Sequence, residues 1–252
     1  MTSPPSTDVT PARNSYRGRI APTPTGHLHL GHAATFLEAS QRATENGGVT
    51  VLRMEDLDPH RCKPHYAKGI IEDLSWLGIA WHEGRFYQSQ RGELYLDAWR
   101  KLRDGGFIYP CNRSRRDIAK AALAPHEELC VFPVDWRTAV EEARKFQEPN
   151  GKNWRFRVPD GEQISFTDGN HGPIRRTALR DFGDFLVWNR DNIPAYELAV
   201  VVDDLAMGIT EVVRGEDLLT STVRQMLIYR ALGAEPPAFF HCPLFVIGLD
   251  AV

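Results

Sequence analysis

The sequence has few cysteines and no long apolar run. Only four of its 252 residues are cysteine, and they are scattered at Cys62, Cys111, Cys130 and Cys242. This scarcity excludes a small domain held together by disulfides and favours reduced thiols. No apolar stretch approaches the roughly 20 residues that cross a bilayer, and the first residues lack the pattern of a secretory signal. We therefore expect a soluble cytoplasmic protein with no membrane partner.

The chain also lacks an excess of either charge. Its 30 Lys and Arg residues face 33 Asp and Glu residues, for a formal net charge of -3. This balance excludes binding to nucleic acid through bulk charge alone, so an RNA partner must meet a local basic patch. Hydrophobic residues make up 42% and charged residues 25%, which excludes disordered and fibrous classes. The length suits one α/β domain with an insertion, or two small domains.

The two standard phosphate loops, GxGxxG and GxxxxGK[ST], are absent. Residues 19–32 instead read RIAPTPTGHLHLGH, a strand end and a stiff turn followed by HxGH at a helix start. Gly31 has no Cβ, so a purine ring can lie against its backbone. His29 and His32 can donate hydrogen bonds to phosphate oxygens whose charge grows as an α-phosphate is attacked. An isolated HxGH is more often a turn with surface histidines, but the proline-rich turn and its flanking elements favour nucleotide chemistry.

The apolar pattern predicts an α/β fold. A strand at 17–21, a helix at 32–46 and a strand at 49–53 form a βαβ unit, which places ligands at the carboxyl ends of the strands. Further helices are predicted at 68–77, 92–105, around 135–146 and at 222–232. Further strands are predicted at 154–158, in an inserted segment, and at 185–189, 198–203, 210–213 and 241–247 in a resumed main sheet.

Four segments, in order along the chain, resemble motifs of the class I aminoacyl-tRNA synthetases, in the wording of the glutamyl branch. The first is the segment at 19–32. The others are LRMEDLD at 52–58, YELAVVVDD at 196–204, and EVVRGEDLL at 211–219 followed by TVRQ at 222–225. The resemblance implies a Rossmann-like class I aminoacyl-tRNA synthetase catalytic domain with an inserted α+β subdomain.

The predicted elements and the resemblance together divide the chain into four parts. These are a disordered tail at 1–14, a first half of the catalytic domain at 15–107, the inserted subdomain at 108–177, and a second half at 178–252.

Within the glutamyl branch, length favours the short relatives, the glutamyl-queuosine tRNA(Asp) synthetases. Discriminating glutamyl-tRNA synthetases continue into a large helical anticodon-binding region, and they usually have His after the Asp where this chain has Leu218 and Leu219. The resemblance implies ATP-dependent activation of L-glutamate to glutamyl-adenylate and its transfer to queuosine in the tRNA(Asp) anticodon. We expect a monomer. Two alternatives stay open: a truncated discriminating glutamyl-tRNA synthetase, and a pseudo-enzyme that binds glutamate, ATP or, through Arg113, Arg115 and Arg116, RNA.

Glutamate carries an ammonium and two carboxylates, so its pocket needs an anion and forked cations. The resemblance assigns Arg19 and Arg214 to the carboxylates, and Glu55 with the Tyr196 hydroxyl to the ammonium. Ala21, Pro22 and Thr23 are the other residues predicted to bind the glutamate substrate. The residues predicted to bind ATP are Pro24, Gly26, His29, Gly31 and His32. Of these, His29 and His32 are also predicted to be catalytic. Taken singly, Arg19 and Glu55 also fit a surface ion pair, and Tyr196 a core aromatic.

We expect no metal held by the protein alone. Four acidic residues suggest a carboxylate cage for a metal: Asp56, Asp58, Asp203 and Asp204. Mg²⁺ in nucleotide sites, however, arrives with ATP. Asp56 or Asp204 instead fits a supporting role, in contact with Glu55 or Arg214 rather than with the ligand. The short relatives often carry a zinc site in the insertion. Here Cys111, His126 and Cys130 give three ligands where a structural zinc needs four, and Arg113 would repel the ion.

The lysine-rich KMSKS-like loop of class I synthetases is missing. The family places it directly after the strand predicted at 241–247, whereas the last lysine of this sequence is Lys152. Removal of one preorganised donor from a comparable site costs about 3 to 4 kcal/mol of transition-state stabilisation. We therefore expect weak or absent catalysis if Val252 is the natural end, and a fragment of a working enzyme if it is not.

Overall fold

The computed structural model describes residues 16–113 and 131–244. The predicted tail at 1–14 lies outside these ranges. The strands are β1 (Arg17–Ile20), β2 (Val49–Met54), β3 (Glu83–Tyr87), β4 (Ile108–Cys111), β5 (Asn153–Phe156), β6 (Gln163–Asp168), β7 (Gly172–Thr177), β8 (Phe185–Trp188), β9 (Glu211–Gly215) and β10 (Ala238–Cys242). The α-helices are α1 (Leu30–Glu45), α2 (Pro64–Trp76), α3 (Gly92–Asp104), α4 (Val140–Arg144), α5 (Tyr196–Ala206) and α6 (Leu219–Ala231).

The predicted βαβ unit is present at the start of the described chain. Strands β1, β2 and β3 form a parallel sheet in that order, and α1 connects β1 to β2. The two prolines after Ile20 end β1, because proline cannot continue a ladder of backbone hydrogen bonds. Phe36, Ala39 and Ala43 form the buried side of α1. The unit therefore brings the proline-rich turn and the start of α1 to one edge of the sheet.

A second sheet, in the order β7-β6-β10-β9, continues this layer. Strand β10 is parallel to both β9 and β6, while β6 and β7 form an antiparallel pair. Strand β9 lies beside β1, where the Thr210 amide donates a 2.9 Å hydrogen bond to the Arg17 carbonyl. The chain therefore runs outward from β1 to β2 on one side and from β9 to β10 on the other. A crevice for ligands is expected where the strand order reverses in this way.

The third sheet is antiparallel, in the order β4-β5-β8. The prediction that residues 185–189 resume the main sheet was wrong, because β8 pairs with β5. Aromatic packing explains this pairing: the rings of Phe156 and Phe185 are stacked with centroids 5.1 Å apart. Strands β6 and β7 belong to the second sheet and β8 to the third. The predicted boundaries of the inserted subdomain, at residues 108 and 177, stay a prediction.

The predicted strand at 198–203 was also wrong. These residues belong to α5, and every residue from Glu197 to Asp204 in this helix is buried. A helix covered on all sides has no polar stripe, so its apolar run carries no helical period and is indistinguishable from a buried strand. The β-branched Val200, Val201 and Val202 then favoured the strand interpretation.

Two other predicted elements differ in extent. The helix expected around 135–146 is a 3-10 turn at Val134–Trp136 followed by the short α4. The last strand begins at Ala238, three residues before the predicted start, and the predicted stretch beyond residue 244 lies outside the described ranges. Among the helices that the structure describes, none combines the length and apolarity needed to cross a membrane.

Candidate active site

A cleft of about 460 Å³ opens at the carboxyl ends of β1 and β9. Most of the residues predicted for glutamate and ATP line it. These are Arg19, Ala21, Pro22, Thr23, His29, Gly31, His32, Glu55, Tyr196 and Arg214. The proline-rich turn, the end of β2, the start of α5 and β9 thus contribute side chains to one cavity.

Arg214 enters the cleft from β9 and is only 4% exposed. Its Nη2 donates to Thr222 Oγ1 at 2.7 Å, its Nε to His241 Nε2 at 3.3 Å, and its Nη1 to the Tyr196 hydroxyl at 3.4 Å. A guanidinium has five N–H donors, so two remain for a ligand after these three bonds. This arrangement fits a forked cation that grips a carboxylate.

Arg19 approaches the same cleft from β1. Its Nη1 donates to the Val213 carbonyl at 2.7 Å, which ties β1 to β9, and its Nε lies 3.8 Å from Asp204 Oδ1. Burial lowers the pKa of Arg19, and the Asp204 carboxylate opposes that shift. The guanidinium nevertheless stays charged, because an arginine pKa lies far above neutrality.

Glu55 is held by a buried arginine. Arg53 donates from Nη2 to Glu55 Oε1 at 3.0 Å and from Nη1 to Asp204 Oδ1 at 2.7 Å. Burial raises the pKa of Glu55, while the charges of Arg53 and Arg19 act against that rise. The Glu55 amide also donates to the Pro22 carbonyl at 2.9 Å. The acid is therefore fixed both to the turn after β1 and to the charged core beneath it.

Asp204 supports the site from behind, in part as the sequence indicated. It contacts Arg53 and Arg19, and through Arg53 it supports Glu55. Asp56, the other candidate for that place, instead accepts hydrogen bonds from the backbone and hydroxyl of Ser89.

The acidic residues do not form a metal cage. Asp203 accepts hydrogen bonds from Gln88, Arg91 and Tyr95, and Asp58 accepts from the backbone of the turn that follows it. Within residues 16–113 and 131–244, no three His, Cys, Asp or Glu side chains are grouped to hold a metal. His126 and Cys130 of the suggested zinc set lie outside these ranges, so the expectation of no structural zinc stays a prediction.

The two histidines of HxGH stack on each other at the start of α1. Their ring centroids are 3.7 Å apart, and the His29 amide faces His32 Nδ1 at 3.4 Å. Partial burial and the neighbouring His29 lower the pKa of His32. A Cβ on Gly31 would lie 3.1 Å from Cε1 of His29, so the His29 ring covers the backbone face that we expected a purine to use.

Two predicted ATP residues, Pro24 and Gly26, are not among the residues that line the cleft. The Pro24 carbonyl accepts a hydrogen bond from the Lys63 amide, which gives this proline a place in the frame of the turn. Lining residues that sequence reasoning missed are Thr25, Thr35, Phe36, Val213, Gly215, Asp217, Leu218, Pro243 and Leu244. Thr25, Val213, Gly215, Asp217 and Leu218 lie within the motif segments at 19–32 and 211–219, and that membership was the available signal.

Residues 15–248 match the family model described as tRNA synthetases class I (E and Q), catalytic domain. The chain belongs to this family. Class I tRNA synthetases are ligases that use ATP as a substrate, and the parallel sheet with its cleft at the strand ends is the fold expected for one. The Rossmann-like catalytic architecture implied by the motifs is thus confirmed.

Two kinds of curated relative are similar to this synthetase chain. It is 47% identical to the glutamyl-Q tRNA(Asp) synthetase of Symbiobacterium thermophilum, over 91% of this chain and 74% of the relative. It is 40% identical to a glutamate–tRNA ligase of Synechococcus sp. (strain JA-3-3Ab), over 92% of this chain and 49% of that protein. A crystal structure of a glutamate tRNA ligase from Elizabethkingia meningosepticum, in complex with its amino acid, superposes with a TM-score of 0.80 at 28% identity, covering 92% of this chain. The chain spans about half the length of these two glutamate ligases.

Proposed function

We propose that the chain activates L-glutamate with ATP and transfers the glutamyl group to queuosine in the anticodon of tRNA(Asp). One observation carries the activation step: Arg19, Arg214 and Glu55 share a single cleft with His29 and His32. Two forked cations and one acid match the two carboxylates and the ammonium of glutamate. The acceptor is supported by the 47% identity to a protein named glutamyl-Q tRNA(Asp) synthetase.

In the proposed complex, Glu55 and the Tyr196 hydroxyl receive the glutamate ammonium. Arg214 and Arg19 bind the carboxylates, and Ala21, Pro22 and Thr23 form the wall beside them. ATP lies along the start of α1, where helix N–H groups and the partial positive charge of the helix end favour phosphate. In this pose Pro24 and Gly26 shape the turn that carries the ATP residues. Mg²⁺ enters with the ATP phosphates as part of the substrate.

The chemistry needs no protein nucleophile. An oxygen of the glutamate α-carboxylate attacks the α-phosphorus of ATP, the bond to the β-phosphate oxygen breaks, and pyrophosphate leaves. A hydroxyl of queuosine then attacks the acyl carbon of glutamyl-adenylate, losing its proton as AMP departs. His29 and His32 stabilise the charge that grows on the α-phosphate in the first step. Alignment of the reactants supplies the rest of the rate.

Glutamate-dependent exchange of labelled pyrophosphate into ATP, without tRNA, tests the activation step. We expect exchange by the wild-type chain, and its loss in Arg214→Ala. Arg180→Ala is the control, because Arg180 is exposed, pairs with its neighbour Asp181 and is not among the residues that line the cleft. Exchange that persists without glutamate, or that is unchanged in Arg214→Ala, would refute the assigned pocket.

The acceptor is tested with tRNA(Asp) that carries queuosine and with matched tRNA(Asp) that lacks it. Labelled glutamate should become attached only to the first. Activation that appears only when tRNA(Glu) is added would instead identify the catalytic part of a discriminating glutamyl-tRNA synthetase, the activity in the name of the Synechococcus relative. Binding of glutamate and ATP without any exchange would identify a pseudo-enzyme.

We further infer that the protein is a monomer and that it is located in the cytoplasm. Ultracentrifugation of the purified chain checks the oligomeric state.

A further inference from the structure

A chain of buried hydrogen bonds lies behind Arg214. Thr222 of α6 accepts from Arg214 Nη2 at 2.7 Å, and its hydroxyl lies 2.9 Å from His241 Nε2. His241 of β10 also accepts from Arg214 Nε at 3.3 Å, and its Nδ1 lies 2.6 Å from Asp168 Oδ2 at the end of β6. Each of these four side chains is at most 4% exposed. The Arg214 guanidinium is thus linked to a carboxylate in another strand.

The hydrogen bonds of Asp168 determine which nitrogen of His241 carries the proton. Asp168 Oδ1 accepts the backbone amides of Asn170 and His171 at 3.0 Å each, and that of His241 at 3.3 Å. These donors fix the carboxylate, whose Oδ2 therefore faces His241 as an acceptor. The imidazole proton must then sit on Nδ1, which leaves the Nε2 lone pair to accept from the Thr222 hydroxyl at 2.9 Å and from Arg214 Nε–H at 3.3 Å.

We propose that Asp168, His241 and Thr222 are positioning residues that hold Arg214 in the orientation for binding a glutamate carboxylate. The inference rests on the proposed function, because that function gives Arg214 its ligand. His241 and Thr222 occupy the Nε–H and one Nη2–H of the guanidinium. One Nη1–H bonds to the Tyr196 hydroxyl, and the two remaining Nη donors are therefore directed at the cleft before glutamate arrives. A preorganised cation loses less conformational freedom on binding, so the network contributes to glutamate affinity.

Two substitutions of His241 separate positioning from packing. In Gln, the amide oxygen reaches the place of Nε2 and can accept from Arg214, but contact with Asp168 is lost. In Asn, the amide lies at the place of Nδ1 and keeps the contact with Asp168, but nothing accepts from Arg214 Nε. Both variants disturb a buried network and should lower the melting temperature. Only His241→Asn should weaken glutamate binding, by about tenfold or more, since it removes a hydrogen bond to a charged group.

Asp168→Asn tests whether Asp168 determines which nitrogen of His241 carries the proton. Three backbone donors hold the carbonyl oxygen of the new amide in the place of Oδ1, so its NH₂ group faces His241 Nδ1. The imidazole must then carry its proton on Nε2, pointing at Arg214 Nε–H. We expect glutamate affinity to fall as in His241→Asn, and no further fall when Asp168→Asn is added to His241→Gln. The control is Asp184→Asn, a buried aspartate directly before β8 that is bound to Tyr109 and Arg137.

The measurement is calorimetric titration of each variant with L-glutamate, with an ATP analogue as the second ligand and thermal unfolding as the fold check. Affinity for the ATP analogue should not change. Wild-type chain that binds no glutamate would refute the proposed function and this inference with it. If the wild-type chain binds glutamate and His241→Asn and Asp168→Asn bind it equally well, the positioning role is overturned and the proposed function stands. Equal losses in His241→Gln and His241→Asn would overturn it as well, because they would indicate loss of packing.

Discussion

Arg53 Nη2 donates a 3.0 Å hydrogen bond to Oε1 of Glu55, and both side chains are buried. The acid that we assign to the substrate ammonium is therefore already paired with a cation of the protein core. Burial alone would lower the pKa of Arg53, but the carboxylates of Asp204, Glu55 and Asp203 outweigh it and raise that pKa. Arg53 thus keeps its charge and compensates several buried acids at once.

Arg53→Met should destabilise the fold strongly. It leaves Glu55 and Asp204 without their buried cation, and the loss of one partner of a buried pair costs about 3 to 5 kcal/mol of unfolding free energy. Arg230→Met is the comparison, because its pair with Glu162 is largely exposed and should contribute no more than about 1 kcal/mol. Urea denaturation measures both. Similar losses in the two variants would contradict the central role of Arg53.

Tyr196→Phe should weaken glutamate binding without harm to the fold. The hydroxyl lies in the cleft and accepts a long hydrogen bond of 3.4 Å from Arg214. In the proposed complex this hydroxyl also accepts from the glutamate ammonium, and a net contribution of about 0.5 to 1.5 kcal/mol for that hydrogen bond corresponds to a rise of about 2- to 13-fold in the glutamate KM. The ATP KM should not change. Tyr87→Phe, at the end of β3 and away from the cleft, serves as control; a change in the ATP KM alone would count against the assignment.

Gly31→Ala should impair ATP binding without unfolding the helix. The new Cβ would lie 3.1 Å from Cε1 of the His29 ring, which covers this face of the backbone, so it displaces a histidine that we assign to the ATP phosphates. Alanine is better than glycine inside a helix by up to about 1 kcal/mol. Gly69→Ala in α2 is the matched control, because its Cβ meets only His27 Nδ1 at 4.0 Å. Calorimetry with an ATP analogue should show weaker binding only for Gly31→Ala.

The stability of the fold should fall in mild acid partly through His241. Burial lowers the pKa of His241 and the bond to Asp168 only partly offsets this, while the charge of Arg214 and nearby His171 lower it further. The unfolded chain therefore takes up a proton near the ordinary histidine pKa of about 6.5, before the native chain does. Asp168, whose pKa lies below its usual value, stays ionised throughout this window because bonds from His241 and two backbone amides outweigh its burial.

The expected result is a contribution that is complete above pH 6.5 and is lost as the pH falls from there toward the lower native pKa. Unfolding free energies from urea titrations between pH 7.5 and 5.5 measure it. The wild-type chain should lose more stability across this range than His241→Gln, which has nothing to titrate at that position. Parallel curves for the two proteins would show that His241 does not contribute.

Local patterns were sufficient to predict the elements that carry the first half of the site, while the glutamate-binding roles of Arg19 and Glu55 came from the resemblance. The stiff turn after β1, the HxGH start of α1 and the end of β2 were readable because strand, turn and helix signals follow one another along the chain. Arg214 and Tyr196 came from the resemblance of their motifs. The structure then brought Arg19, Glu55, Tyr196 and Arg214 into one cleft.

The elements that sequence reasoning missed depend on tertiary packing. Helix α5 was interpreted as a strand because it is buried on every side, so its apolar residues do not show the 3.6-residue spacing of an amphipathic helix. The partner of β8 is set by stacking between Phe156 and Phe185, which no local signal encodes. The network behind Arg214 joins residues of β6, β9, α6 and β10, and His241 stood out only as the start of a predicted strand. Because each of the four elements contributes a single residue to the network, the sequence contains no motif with a fixed spacing that would reveal it.

The hydrogen bond from Arg19 to the Val213 carbonyl joins residues 194 positions apart. One wall of the cleft thus comes from the beginning of the chain and the facing wall from near residue 214, and neither wall contains a complete set of ligand contacts. Among the described residues between the two walls, Glu55 after β2 and Tyr196 at the start of α5 are the ones that line the pocket. The intervening antiparallel sheet can therefore differ in length or sequence without altering the residues that line the two walls of the cleft.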